Sequence, residues 1–313
     1  MVVLLNLVLY LVSFFFIWFG SGLIIRSVNK LSYQLNISSF SFSFLILGLL
    51  TSVPEMTIGF NSVFLGDPAI FVGNLIGGSL VLFLLVIPIL AILGNGIKLA
   101  HDLNRKTLLF ALLVIAAPVF FTLDSQINLG EAIFLVIFYI ILIFFVEKKK
   151  NFLEDVKDKI VHHEINFLKE LGKIFLGAFL VIFASRVVVD KTIYFSELLN
   201  ISLFIVSLLC LSIGTNLPEI SLAIRSVLLK KKEVALGDYI GSAAANSLIF
   251  GVLTLIYGKT ILLSNHFLQT FIFMIGGLLV FYHFTRSKND ISRQEGLILI
   301  LIYLFFILFE ARY

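Results

Sequence analysis

The sequence TSVPEMT at residues 51–57 recurs in related form as TNLPEIS at residues 215–221. Each motif follows an apolar run, so each places a carboxylate beside a helix-breaking proline within a hydrophobic segment. An ionised carboxylate at the centre of a membrane helix costs at least about 2.5–3.5 kcal/mol. Because the chain accepts this cost in two related motifs, we expect both glutamates to serve its function.

The two motifs belong to a longer internal repeat with an offset of 164 residues. The offset requires no gap from residue 51 to residue 82, and it superposes GNLIGGS at 73–79 on GDYIGSA at 237–243. Chance similarity between apolar segments would exchange Leu and Ile, but it would not preserve T-x-x-P-E and G-x-x-I-G in one frame. The pattern therefore predicts two homologous halves.

The composition indicates a polytopic, all-α integral membrane protein. Hydrophobic residues make up 60% of the 313 residues and charged residues 13%, and long apolar runs recur throughout. The first run lacks the basic region and cleavage site of a signal peptide, so we expect it to remain as a span. Ten transmembrane helices are predicted, near residues 2–25, 39–65, 69–93, 107–123, 128–146, 171–190, 199–229, 233–257, 262–283 and 292–310.

The distribution of basic residues predicts the orientation of these spans. Most of the 23 Lys and Arg residues follow odd-numbered spans, and cytoplasmic loops collect such residues. We therefore expect a multi-pass protein of the cell membrane with both termini extracytoplasmic. Because the motifs begin five spans apart, the second half enters from the opposite side. This predicts a first five-helix repeat at 1–146, a cytoplasmic linker at 147–170 and a second, inverted five-helix repeat at 171–313.

The helix breaks predict a cation site. Pro54 and Pro218 lack an N–H group, so carbonyls near residues 50–51 and 214–215 lose their helical partners. In lipid such a carbonyl requires another partner, and a bound cation can provide one. Carboxylate, carbonyl and hydroxyl oxygens suit Ca²⁺ or Na⁺ rather than zinc or copper. The candidate ligands at the two breaks are Glu55, Glu219, Thr51, Ser52, Thr215 and Asn216.

A second group of candidates follows the glycine motif of the second half. Asp238, Ser242 and Asn246 are spaced i, i+4 and i+8, which places them on one face of a helix. Asn246 lies deep in an apolar run, which favours a ligand. Asp238 is open between a ligand and a cap at the start of the eighth span. The corresponding face of the first half carries Asn74, Gly78 and Leu82.

With these motifs the sequence resembles the cation/Ca²⁺ antiporter superfamily, and within it the prokaryotic Na⁺/Ca²⁺ exchangers. The family's two α-repeats match at about 43–92 and 207–256, and the ten-span layout extends the resemblance to the whole chain. The resemblance implies a secondary antiporter, not an enzyme, that exchanges Ca²⁺ for Na⁺ by alternating access. Its partners are then these two ions and the bilayer, with no cofactor, no nucleic acid and no obligatory protein partner.

The chain departs from that family at three expected ligand positions. Many members have serine at the position of Gly78, asparagine at that of Leu82 and aspartate at that of Asn246. Fewer oxygens and less charge leave open whether Na⁺ or H⁺ is the counter-ion, so a Ca²⁺/H⁺ or other cation/proton antiporter of the same fold is an alternative. A passive cation channel and a non-transporting membrane paralogue are alternatives of another class.

Overall fold

The computed structural model describes residues 2–33, 44, 48–98, 105–147, 167–228, 232–263, 267–288 and 290–310. Most of the predicted linker, residues 148–166, lies outside these ranges. The elements in chain order are α1 (Val2–Tyr33), α2 (Gly48–Thr51), α3 (Val53–Leu65), α4 (Ala69–Val81), the π-helical turn π1 (Leu82–Val86), α5 (Ile87–Leu93), β1 (Ile97–Lys98), α6 (Arg105–Phe121), β2 (Gln126–Ile127), α7 (Leu129–Glu147), α8 (Phe167–Leu199), α9 (Leu203–Val206), the π-helical turn π2 (Ser207–Leu211), α10 (Ser212–Thr215), α11 (Leu217–Leu228), α12 (Lys232–Tyr257), β3 (Ile261–Leu262), α13 (Leu268–Lys288), β4 (Asp290–Ile291) and α14 (Arg293–Glu310).

Helices occupy most of the described residues of the predicted spans, and α8 extends beyond its prediction of 171–190 at both ends. Two spans begin later than predicted: residue 262 lies in β3 and α13 begins at Leu268, and α9 begins at Leu203. Six of the described helical segments are long and apolar enough to cross a membrane, which agrees with a multi-pass membrane protein. The other spans are short, broken or more charged, so the count of ten spans stays a prediction. The six segments are Val2–Ile24, Ala69–Leu93, Leu129–Val146, Gly172–Leu199, Ala235–Tyr257 and Leu268–Arg286.

Both T-x-x-P-E motifs interrupt a helix, as their prolines require. Ser52 separates α2 from α3, and Asn216 separates α10 from α11. Pro54 and Pro218 are each the second residue of the helix that follows. A proline is tolerated in the first turn because its missing N–H would have no intrahelical acceptor there. The break therefore falls two residues before each proline.

The two longest helices, α1 and α8, pack against each other. A β-carbon on Gly20 would lie 2.8 Å from the Gly177 carbonyl oxygen, and one on Gly177 would lie 2.6 Å from the Gly20 carbonyl oxygen. The crossing is thus closer than any larger side chain would allow. The Tyr10 and Thr192 hydroxyls lie 3.1 Å apart and join the same pair of helices.

The helices α4 and α12 form the centre of the molecule and are mostly buried. Gly77 of α4 packs against the Leu208 carbonyl of π2, and Gly241 of α12 packs against the Phe44 carbonyl. A β-carbon at either glycine would collide with that carbonyl. Gly77 and Gly241 are 164 residues apart, as are Phe44 and Leu208, so the two crossings involve equivalent positions.

Two short antiparallel sheets connect the halves of the chain. In one, β1 pairs with β4 and Ile97 lies opposite Ile291. In the other, β2 pairs with β3 and Ile127 lies opposite Ile261. The offset of 164 relates β1 to β3 and β2 to β4, so each sheet joins one strand of the first half to one of the second.

Candidate cation site

The two helix breaks carry the glutamates of the T-x-x-P-E motifs into the protein interior. Glu55 lies in the first turn of α3 and Glu219 in the first turn of α11. Their residues are 1% and 0% exposed, so neither carboxyl faces the surrounding lipid. A helix N-terminus carries unpaired N–H groups and a partial positive charge, which favours a carboxylate in its first turn. Both glutamates are thus buried directly after the helix breaks, and their role as cation ligands stays a prediction.

Each break contacts the central helix of the other half through its threonine. The Thr51 hydroxyl donates to Asp238 Oδ1 at 3.2 Å, and the Thr215 hydroxyl donates to Asn74 Oδ1 at 3.3 Å. The offset of 164 relates Thr51 to Thr215 and Asn74 to Asp238. The same hydrogen bond is thus made twice, once to a carboxyl group and once to a neutral amide.

The residue after each threonine also reaches across to the other half, but by different chemistry. The Ser52 and Ser242 hydroxyl oxygens lie 2.9 Å apart. At the offset-related position, the side chain of Asn216 faces Gly78, which has none, and Asn246 approaches the same glycine. All the ligands predicted from the two breaks and from α12 are buried.

The site contains buried oxygen atoms that lack a hydrogen-bond donor among the described residues. They belong to the two glutamates, Asp238 and Asn246: Glu55 Oε2, Glu219 Oε1 and Oε2, Asp238 Oδ2 and Asn246 Oδ1. The Glu219 carboxyl also interacts electrostatically with both Glu55 and Asp238. Buried oxygens without donors are costly, and grouped carboxyl groups repel one another when ionised. A bound cation would remove both costs.

The carboxyl groups alone do not complete a metal site. Within the described ranges, no three His, Cys, Asp or Glu side chains come close enough together to hold a metal ion. Any cation held here would also need hydroxyl, amide or backbone oxygens as ligands. Such mixed oxygen sets suit Ca²⁺, which accepts carboxylates, carbonyls and amide oxygens at flexible geometry.

Two residues of the site were not among the predicted ligands. Asn74 accepts the Thr215 bond, and its sequence signal was the offset of 164 from Asp238. Tyr239 is fully buried, and its hydroxyl donates to the Glu219 backbone oxygen at 3.0 Å. No sequence pattern indicates this second contact, because the first half carries Leu75 at the corresponding position.

Comparison with known proteins gives a consistent family. The profile of the family described as sodium/calcium exchanger protein matches residues 5–147 and 169–311. An uncharacterized membrane protein of Methanocaldococcus jannaschii, MJ0091, is 24% identical over 296 residues, which cover 94% of both chains.

Two solved structures share the fold. The sodium-calcium exchanger NCX_Mj, soaked with Na⁺ and Sr²⁺, superposes with a TM-score of 0.70 at 20% identity, covering 98% of this chain and 99% of that one. The H⁺/Ca²⁺ exchanger CAX superposes with a TM-score of 0.79 at 17% identity, covering 98% and 87%. At these identities the likeness establishes the fold, and it does not distinguish the two counter-ions.

Proposed function

Because the chain belongs to the sodium/calcium exchanger protein family, whose members are transporters, we propose that it exchanges Ca²⁺ for Na⁺ across the cell membrane. The observation that carries this proposal is the group of buried, donor-free oxygens where the two helix breaks meet α4 and α12. Glu55 and Glu219 are the central ligands. The hydroxyl and amide groups of both breaks and of α12 complete the set.

We infer that the chain forms ten spans in two inverted five-helix repeats, at 1–146 and 171–313, with both termini extracytoplasmic. The doubled threonine bonds, the equivalent glycine crossings and the two paired sheets all support this arrangement, because each contact recurs at the offset of 164. Folds with inverted repeats bind their substrate near the bilayer midplane, where discontinuous helices from both repeats meet.

The charge of the site explains why transport would be an exchange. Without a bound cation or proton, the carboxyl groups of Glu55, Glu219 and Asp238 would carry buried charge whose desolvation is uncompensated. A conformational change with this buried charge uncompensated is disfavoured. The site would therefore change the side to which it opens only when it is occupied. Exposure of the site to alternate sides would involve α1 and α8, which pack on each other. The bond of 2.8 Å between Asn61 of α3 and Ser185 of α8 would then change.

Proton coupling is the second candidate. Three buried carboxyl groups with donor-free oxygens could bind protons in place of Na⁺. The structural likeness to an H⁺/Ca²⁺ exchanger is compatible with this alternative as far as the fold is concerned.

Reconstituted protein tests the proposal directly. Proteoliposomes loaded with Na⁺, K⁺ or an acidic buffer should take up ⁴⁵Ca²⁺ only when an outward Na⁺ gradient is imposed. Uptake driven by a pH step and insensitive to Na⁺ would assign the proton instead. Non-saturating flux without any counter-ion gradient would indicate a passive channel and contradict both.

A further inference from the structure

Gly78 of α4 faces a space that two amide groups of the second half bound. A β-carbon built on Gly78 would lie 3.2 Å from Nδ2 of Asn216 and 3.2 Å from Nδ2 of Asn246. Apart from the glycine's own chain neighbours and helix backbone, no other described atom lies within 4 Å of that position. The side-chain amides of Asn216 and Asn246 therefore lie closer to α4 than they readily could if residue 78 carried a side chain.

The offset-related positions show what takes the place of the missing group. Ser242 corresponds to Gly78, and Ser52 corresponds to Asn216. Where the two serines meet, both side chains are short and their hydroxyl oxygens lie 2.9 Å apart. Where Asn216 meets Gly78, one long side chain faces none, and its Nδ2 donates to the Ser212 backbone oxygen at 2.8 Å. The longer residue thus compensates for the absent one.

From this arrangement, and resting on the proposed cation exchange, we propose that Gly78 is a specificity-determining position. Its missing side chain admits the amide groups of Asn216 and Asn246, so amide oxygens rather than a hydroxyl group of α4 complete the cation's ligands. Asn246 Oδ1 is buried without a donor among the described residues, which leaves it available to a cation. Selectivity among hard cations depends on cavity size, ligand number and flexibility, and Gly78 sets the first of these.

Filling the space should narrow the site. In Gly78→Ala, the new methyl group would displace both amides by a few tenths of an ångström, because 3.2 Å is closer than an ordinary carbon–nitrogen contact. We expect Ca²⁺ to bind roughly tenfold more weakly, as is common when the surroundings of a metal ligand are changed. Sr²⁺ should weaken further, because it is the larger ion. Isothermal titration calorimetry on the purified full-length protein, with Ca²⁺ and Sr²⁺ separately, measures the ratio of the two affinities.

Gly276→Ala provides the matched control. Gly276 lies within α13, and a β-carbon there would meet no described atom within 4 Å beyond its chain neighbours and its own helix backbone. This variant should retain both affinities and their ratio. If Gly78→Ala behaves in the same way as the control, the proposed role of Gly78 is wrong.

A double variant tests the compensation itself. Asn216→Ser removes an amide and Gly78→Ser crowds Asn246, so each should weaken Ca²⁺ binding. The combination Gly78→Ser/Asn216→Ser recreates the Ser52–Ser242 pair. Its fold-loss of Ca²⁺ affinity should be smaller than the product of the fold-losses in the two single variants. If the two substitutions weaken Ca²⁺ binding independently of each other, the inference is wrong. The double variant also tests the role of Gly78 if Gly78→Ala does not fold. Absence of any Ca²⁺ or Sr²⁺ binding by the wild-type protein would instead overturn the proposed function and this inference together.

Discussion

The two helix breaks share their backbone and differ in their side chains. Both place threonine before the break, and both place a proline and a buried glutamate in the first turn of the helix that follows. The first break, however, donates to the carboxyl of Asp238, whereas the second donates to the amide of Asn74. The shared part thus determines where a cation would lie, and the different part determines the charge around it.

The largest expected effect is the loss of Ca²⁺ binding when either of the glutamates that both breaks contain is replaced. Glu55→Gln and Glu219→Gln should each weaken Ca²⁺ binding by more than about 100-fold, because removing one partner of a buried ionic interaction costs about 3–5 kcal/mol. Calorimetry and ⁴⁵Ca²⁺ uptake measure the loss, and Glu197→Gln, at an exposed residue of α8, is the control. A glutamate whose replacement leaves binding at the wild-type level does not have the role given to it.

The next effect tests the difference in charge. Asp238→Asn should weaken Ca²⁺ binding by about tenfold, since it removes the charge of a candidate ligand. Asp238→Asn/Asn74→Asp transfers that carboxylate to the equivalent position, where Thr215 can donate to it, and should restore most of the affinity. Wild-type affinity in the single variant would show that Asp238 is not a ligand. Calcium titrations of both variants decide between these outcomes.

A smaller effect tests the tyrosine that only the second half contains. Tyr239→Phe removes the hydrogen bond to the Glu219 backbone oxygen and should destabilise the protein by about 1 kcal/mol. Tyr139→Phe is the matched control, because the buried Tyr139 hydroxyl has no hydrogen-bond partner in the part of the chain that the structure describes. Thermal unfolding in detergent should show a lower Tm for the first variant alone. Equal shifts would indicate that the bond to Glu219 contributes nothing.

The smallest expected effect concerns the connection between α3 and α4, where Asp67 corresponds to Lys231 of the second half. Partial burial and the nearby Glu197 carboxyl raise the pKa of Asp67. Because its folded pKa is raised, the charged form opposes folding, and this cost grows as pH rises above the unfolded value of about 3.9. Asp67→Asn should therefore raise Tm slightly at pH 7 and leave it unchanged below about pH 3.5. A lower Tm at pH 7 would contradict this sign.

Much of the site could be predicted from the sequence because its causes are local. A proline removes one N–H group and excludes certain backbone conformations wherever it occurs, so the breaks at Ser52 and Asn216 follow from their neighbours. A carboxylate within an apolar segment is equally visible. Pro88 likewise follows the π-helical turn at Leu82–Val86 and removes the N–H that would bond the Leu84 carbonyl in an α-helix. In contrast, the π-helical turn at Ser207–Leu211 has no proline among the six residues that follow it.

The sequence by itself determined the two breaks, their buried glutamates and the offset of 164 that relates the halves. Only the tertiary structure decided that Thr51 meets Asp238, that Asn216 faces Gly78 and that Tyr239 holds the backbone of Glu219. The reason is physical. A helix break depends on the covalent geometry of adjacent residues, whereas a contact between residues more than a hundred positions apart depends on how whole helices pack.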